Sequence, residues 1–180
     1  DPAALRQCFA AYPAALRNTM EIAARCAGAV SLDFQAVRFP RPACLPPGET
    51  PDSWLRQLCY RGLRERYRPI RQRVVDQLEH ELAVVRQTGL APFFLIAADV
   101  CTRFRGRCRG SAAGSLIVYC LGMTAVDPLR YGMLFERFIN PERPTPPDID
   151  LDFSEADRTA AIHYLYATYG EQHTAMVCTY

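Results

Sequence analysis

No lysine occurs in these 180 residues; all 21 basic side chains are arginine. With abundant alanine and 14 prolines, this is the usage of a GC-rich coding sequence, which is its plainest explanation. Each positive charge is nonetheless a planar five-donor fork that suits phosphate. No C-x-x-C and no His-x-x-x-His pair occurs, which argues against a zinc site although eight cysteines are present. Unpaired cysteines scattered through a chain that is 49% apolar suit a reducing cytoplasm. No apolar run is long enough to span a bilayer and no signal peptide is visible, so no membrane partner is expected. The net charge of +2 is too small to announce nucleic acid by itself. What remains is enough apolar residues for a core, in one domain or one domain and a fragment of another. The chain starts at Asp1 without Met and ends at Tyr180 inside a β-rich run, as an excised piece of a larger protein would.

Periodicity organises the chain. Ala14 to Ala27 has helical spacing, with Leu16, Met20, Ala23 and Ala24 on one face and Gly28 as a stop. The stretch FPRPACLPPGETP, Phe39 to Pro51, reads as an extended linker and sets a boundary between residues 1–45 and 46–180. Thr50 and Pro51 open a helix to about Tyr67, whose arginine-rich outer face is most simply a solvated surface. A further helix covers Ile70 to Gln87, with Val74, Leu78, Leu82 and Val85 as its apolar stripe and Gly89 as its stop. FFLIAADV, Phe93 to Val100, fits a buried helix or a buried strand, and helix is preferred. Asp127 to Phe138 reads as a helix. Ser154 caps another to about Tyr169, with Ile162, Leu165 and Tyr166 inward. AMVCTY reads as a strand. Strands alternating with helices predict an α/β or α+β layer.

Two short stretches carry chemistry. In Arg109-Gly110-Ser111-Ala112-Ala113-Gly114-Ser115, small residues before a helix leave backbone N–H groups at its positive end, which suits an anion. Gly110 allows close approach to the main chain, Ser111 adds a hydroxyl and Arg109 a charge. The second stretch is PPDIDLDF, Pro146 to Phe153. Alternate strand residues share a face about 6.5–7 Å apart, so two of its aspartates can converge on hard divalent cations. A charged edge strand that blocks aggregation is the rival reading. It leaves Ile149, Leu151 and Phe153, which ask for a core behind them, without a purpose. A Gly-Ser turn followed by an Asp-x-Asp strand is what nucleotidyl transfer requires: the turn for a triphosphate, the carboxylates for Mg²⁺ ions.

At these residues the chain resembles a known family. GRCRGSAAGSLIVYCLGMTAVDPLRYGMLFERFINPERPTPPDIDLDF is similar to the α subunit of bacterial DNA polymerase III, the C-family replicative polymerases, without a visible gap from Arg109 to about Tyr169. NTMEIAARC, Asn18 to Cys26, resembles the tail of that family's PHP domain. The segment from PPGETPDSWLRQLCYRGLRERY to GLAPFFLIAADV resembles the first helices of its palm. The resemblance implies a polymerase-β-like nucleotidyltransferase palm, a central sheet flanked by helices, after a short helical PHP remnant. It matches Asp148 and Asp150 to two metal-binding catalytic aspartates and Asp152 to the third Asp of the same motif. Arg109, Gly110, Ser111 and Arg137 match the triphosphate site; Arg143 and Arg158 match further arginines with DNA, phosphate or structural roles. Two Mg²⁺ ions, which Mn²⁺ can replace, primer-template DNA and dNTPs are the implied cofactors and partners. A sliding clamp and other replisome subunits would engage regions outside this chain.

In the family the thumb, the fingers and a further catalytic aspartate lie beyond Tyr180, so the fragment alone is expected to be inactive. Arg103 to Cys108 looks short for the strand and loop the family carries there. A different nucleotidyltransferase of the polymerase-β fold, or a catalytically dead DNA- or partner-binding module, are the alternatives. GSAAGS and NPER lean toward the replicative branch, PPDIDLDF toward an error-prone one.

Overall fold

The computed structural model describes residues 2–29, 39–142 and 147–177, which divide into two compact units, Asp1–Ala36 and Val37–Tyr180. The first unit holds α1 (Pro2–Cys8) and α2 (Pro13–Ala29). Helix α2 runs through Gly28 instead of stopping there. Its expected inward face is not enclosed: Leu16 is half-buried, whereas Met20 is 72% exposed. Among the described residues of this unit, α1 and α2 alone do not enclose that stripe.

The second unit starts with the proline-rich stretch, which lies on its core. Phe39 stacks on Phe93 with ring centroids 5.2 Å apart, and the Tyr169 hydroxyl accepts a hydrogen bond from the Ala43 N–H. Helix α3 (Pro51–Arg66) follows a reciprocal cap. Thr50 Oγ1 accepts the Ser53 N–H at 3.1 Å, and Ser53 Oγ accepts the Thr50 N–H at 3.0 Å. Helix α4 (Gln72–Gln87) begins two residues after the expected Ile70. Val74, Leu78, Glu81 and Val85 are its buried residues and Leu82 is half-buried against the core, so the expected inward stripe is kept but also contains an acid. Helix α5 (Ala91–Arg103) settles FFLIAADV as helix. Phe94, Leu95, Ala97, Ala98 and Cys101 bury several of its faces, and an all-round apolar helix has no stripe for periodicity to detect.

Short helix α6 (Leu116–Cys120) is enclosed in this core, and α3 crosses it at Gly62. A Cβ on Gly62 would collide with the Cys120 carbonyl oxygen, so the two backbones touch there. Phe94 meets Phe138 edge-on at 5.9 Å, and Phe135 joins the same cluster. Truncating a fully buried phenylalanine of this kind costs about 3–5 kcal/mol.

Residues 127–138 do not form the expected helix. They make turns and a single 3-10 turn, Phe135–Arg137. Asp127 Oδ1 accepts the Leu129 N–H at 3.0 Å and the Tyr67 hydroxyl at 2.6 Å, a local bond that competes with helical pairing. Gly132, at φ +60°, turns the chain out of the right-handed region.

The sheet is small. β1 (Arg107–Arg109) pairs antiparallel with β2 (Asp150–Asp152), with Arg109 opposite Asp150 and Arg107 opposite Asp152. The short connection from α5 therefore does supply a strand, through Arg105 at φ 53° and buried Gly106, which lies against the Phe153 ring. Helix α7 (Glu155–Tyr169) is capped by Ser154, as expected, and half-buries Ile162, Leu165 and Tyr166. The Tyr164 hydroxyl donates to Asp99 on α5 at 2.6 Å. An apolar groove of about 570 Å³, lined in part by Phe93, Leu151, Phe153 and Leu165, separates α5, β2 and α7. Residues 175–177 are not a strand, and 178–180 lie outside the described residues. The fold of the second unit is thus mostly helical α+β with a two-stranded sheet. The seven described cysteines are free, and no single helix among the described residues is long and apolar enough to cross a membrane.

Candidate active site

The strand pair assembles the site. β2 alternates, so Ile149 and Leu151 pack toward the core while Asp150 and Asp152 share the opposite face. Arg109, directly across from Asp150, reaches both. Its Nη1 lies 3.2 Å from Asp150 Oδ2, and its Nε donates to Asp152 Oδ1 at 3.1 Å. Asp148 is exposed and precedes the strand. The Asp152 hydrogen bond, then the charges of Asp150, Asp152 and Asp148, hold Arg109 still more firmly in its charged form. One guanidinium thus sits in the combined field of three carboxylates. Between the two arginines of β1, Cys108 turns to the core. Burial first, then its neighbours Cys101, Asp150 and Asp152, push its thiol up to about 11. It stays protonated at neutral pH and does not compete as a thiolate ligand.

The small-residue turn follows β1 without a break. Gly110 adopts φ +73°, and a Cβ there would sit 3.5 Å from Asp150 Oδ2. That spacing is an ordinary van der Waals contact, so it is the positive φ that calls for glycine here. Gly110 and Ser111 are exposed, and Ala112 to Val118 are buried. The turn is a 3-10 element, Gly110–Gly114, and α6 starts only at Leu116. The N–H groups of α6 are not open to an incoming anion, contrary to the sequence reasoning. Glu81 already takes them: Oε1 accepts the Leu116 N–H at 3.0 Å, and Oε2 accepts the Ile117 N–H at 3.1 Å and the Ser115 hydroxyl at 2.7 Å. Gln77 Nε2 adds a fourth donor at 3.0 Å. Burial pushes the Glu81 carboxyl up, and these donors oppose it. Glu81 was missed in the sequence, although an acid three residues after Leu78 on an apolar stripe is the signal that could have found it.

Of the other candidates, Arg137 is exposed on the 3-10 turn, beside Leu134, whose carbonyl closes on Gly114. Arg158 lines the apolar groove near Asp152 and Phe153. Arg143 lies outside the described residues. Among the described residues no three His, Cys, Asp or Glu side chains gather to hold a metal ion. Asp150 and Asp152, with side chains 43% and 65% exposed, are hard oxygen donors open to water. That donor type fits Mg²⁺, which keeps most of its own waters.

Comparison with known proteins bears on the same residues. The family described as bacterial DNA polymerase III alpha NTPase domain matches residues 53–180, which includes the turn and the aspartate strand. An error-prone DNA polymerase of Symbiobacterium thermophilum is 41% identical over 184 residues, covering 99% of this chain and 17% of its own length. Another from Alkalilimnicola ehrlichii is 44% identical over 174 residues, with 93% and 17% covered. The DNA polymerase III subunit alpha of Aquifex aeolicus is 37% identical over 182 residues, with 96% and 16% covered. The chain thus spans about a sixth of the length of these curated relatives. With the match running through both halves of the site, the chain belongs to the bacterial DNA polymerase III alpha family.

Proposed function

We propose that the chain is part of the palm of a DNA-directed DNA polymerase, of the polymerase-β-like nucleotidyltransferase type, with α1 and α2 as the tail of a PHP domain. The longer protein extends a primer on template DNA from dNTPs, in the cytoplasm, with a sliding clamp and other replisome subunits engaging regions outside this chain. The observation that carries this reading is the β1–β2 register, which sets Arg109 and Gly110 directly against Asp150.

Each residue then has a task. Asp148 and Asp150, with Asp152 beside them, hold two Mg²⁺ ions, or Mn²⁺ in their place. When bound, the ions supply activation of the primer hydroxyl and neutralisation of charge on the departing pyrophosphate. Gly110 lets the triphosphate approach the main chain, and Ser111 donates its hydroxyl. Arg109 stands between the two charge systems. Paired with the aspartates here, it is within a side-chain rotation of a phosphate at Gly110. Arg137 stands beside the same turn, and Arg143 and Arg158 contact DNA or phosphate. Turnover belongs to the longer protein, and this chain alone does not extend a primer.

Melting curves with and without 5 mM Mn²⁺ test the metal assignment. For a dissociation constant near 1 mM, the ion stabilises the chain by about 1 kcal/mol through mass action. Asp148→Asn with Asp150→Asn abolishes that gain. If the double variant gains as much as the parent, these aspartates are not the ligands.

A further inference from the structure

Residues 53–73 hold seven arginines and one glutamate, a net +6 in a chain whose total is +2. The other 159 residues therefore carry a net −4. A GC-rich coding sequence explains arginine in place of lysine, but not this clustering or the scarcity of acids within it. Two of the seven are held by another side chain: Arg56 pairs with Glu79 at 2.5 Å, and Arg66 lies 4.2 Å over the Tyr119 ring. Arg61, Arg64, Arg68, Arg71 and Arg73 are exposed, and none has a carboxylate partner among the described residues. Arg61 and Arg64 are one turn apart on α3, and Arg68, past the end of that helix, donates from its Nε to the Arg64 carbonyl at 3.5 Å.

The placement runs against local electrostatics. Arg64 suits the negative C-terminal end of α3, but Arg71 and Arg73 stand at the positive N-terminal end of α4. The first turn of α4 has no acid, and its N-cap makes no side-chain bond. A self-repelling cluster on a misoriented helix end is a departure that a polyanion would relieve. Next to it on α3, Trp54, Tyr60, Arg61 and Arg64 line a surface groove of about 390 Å³. Arginine interleaved with half-buried aromatic rings fits nucleic acid better than an acidic protein face.

We propose that Arg61, Arg64, Arg68, Arg71 and Arg73 form a docking face for the phosphodiester backbone of duplex DNA, separate from the aspartate strand. The choice of DNA over another polyanion rests on the polymerase reading; the face itself does not.

The experiment is fluorescence anisotropy of a labelled 20-base-pair duplex titrated with the chain between 25 and 200 mM NaCl. Each lost phosphate contact lowers the slope of log K against log salt by about 0.9. Arg61→Ser, Arg64→Ser and Arg68→Ser together should lower it by about 2–3 and weaken binding at least tenfold. Arg71→Ser with Arg73→Ser should lower it by about 2, and this pair carries the test if the triple variant melts early. Removing Arg6, Arg17 and Arg25, an equal charge on the first unit, should leave the slope unchanged. An unchanged slope in both α3–α4 variants overturns the proposal, as does an equal loss in the control. Poly-glutamate competing as well as DNA at equal charge overturns the choice of occupant. The Mn²⁺ response depends on the aspartate strand, and duplex binding on the arginine face. A chain that binds duplex through this face but shows no response to Mn²⁺ therefore refutes the metal site and retains the docking face.

Discussion

Two groups of carboxylates flank the Gly110–Ser115 turn, and they behave in opposite ways. Glu81 is 1% exposed and accepts from four donors; Asp150 and Asp152 are open to water and share one arginine. The same functional group is a structural cap on one side and available chemistry on the other, and burial decides which. With four donors on its two oxygens, the Glu81 carboxylate has no lone pair left for a ligand. An exposed one paired to a mobile guanidinium can exchange that partner at little cost.

The largest effect should come from breaking the buried side. Glu81→Ala leaves the Leu116 and Ile117 N–H groups and the Ser115 hydroxyl without their acceptor, at about 3 kcal/mol or more in total. Denaturant unfolding measures it, and a loss under 1 kcal/mol would mean that water replaces the carboxylate. Glu81→Gln should cost less, about 1–3 kcal/mol, because one oxygen still accepts while the amide opposes a backbone donor.

The pH dependence of that second variant sharpens the contrast. Burial raises the Glu81 carboxyl, so the folded chain holds this proton more tightly than the unfolded chain does. The stability conferred is present below the ordinary value of 4.5 and is lost as pH rises through the folded value. The advantage of the parent over Glu81→Gln should therefore shrink from pH 4.5 toward 7. A gap that widens instead would show that the donors outweigh burial.

Much of this was legible in the sequence. The Thr50-Pro51 start of α3, the Ser154 cap of α7 and the alternation of PPDIDLDF are local signals, written in neighbouring residues and kept in the fold. Asp127 to Phe138 misled because its composition suits a helix while a side-chain carboxylate captures the backbone N–H groups. The partners of Glu81 and Gly62 were invisible for another reason, although the place of Glu81 on an apolar stripe was not. Those partners lie 34 to 36 residues away for Glu81 and 58 for Gly62, and spacing along one element carries no record of what crosses it. The turn was found, but the anion its helix serves was already supplied from α4.

The exposed side should respond more weakly. Asp150→Asn with Asp152→Asn should shift the melting temperature by no more than about 2 °C in either direction, since exposed ion pairs contribute little. Smallest of all, Arg109→Gln should leave the melt nearly unchanged yet increase the Mn²⁺ response, because the carboxylates lose their resident cation. A weaker Mn²⁺ response in that variant would show that Arg109 organises the aspartates for metal instead of competing with it.

The backbone contact at Gly62 has a mechanical consequence. Side chains between helices act as springs, since a rotamer change takes up a displacement before it passes on. Where Gly62 meets the Cys120 carbonyl no such cushion exists, so a push of α3 toward α6 is resisted at once. A load applied to the arginines of α3 would be transmitted, without slack, to the helix that follows the glycine-serine turn.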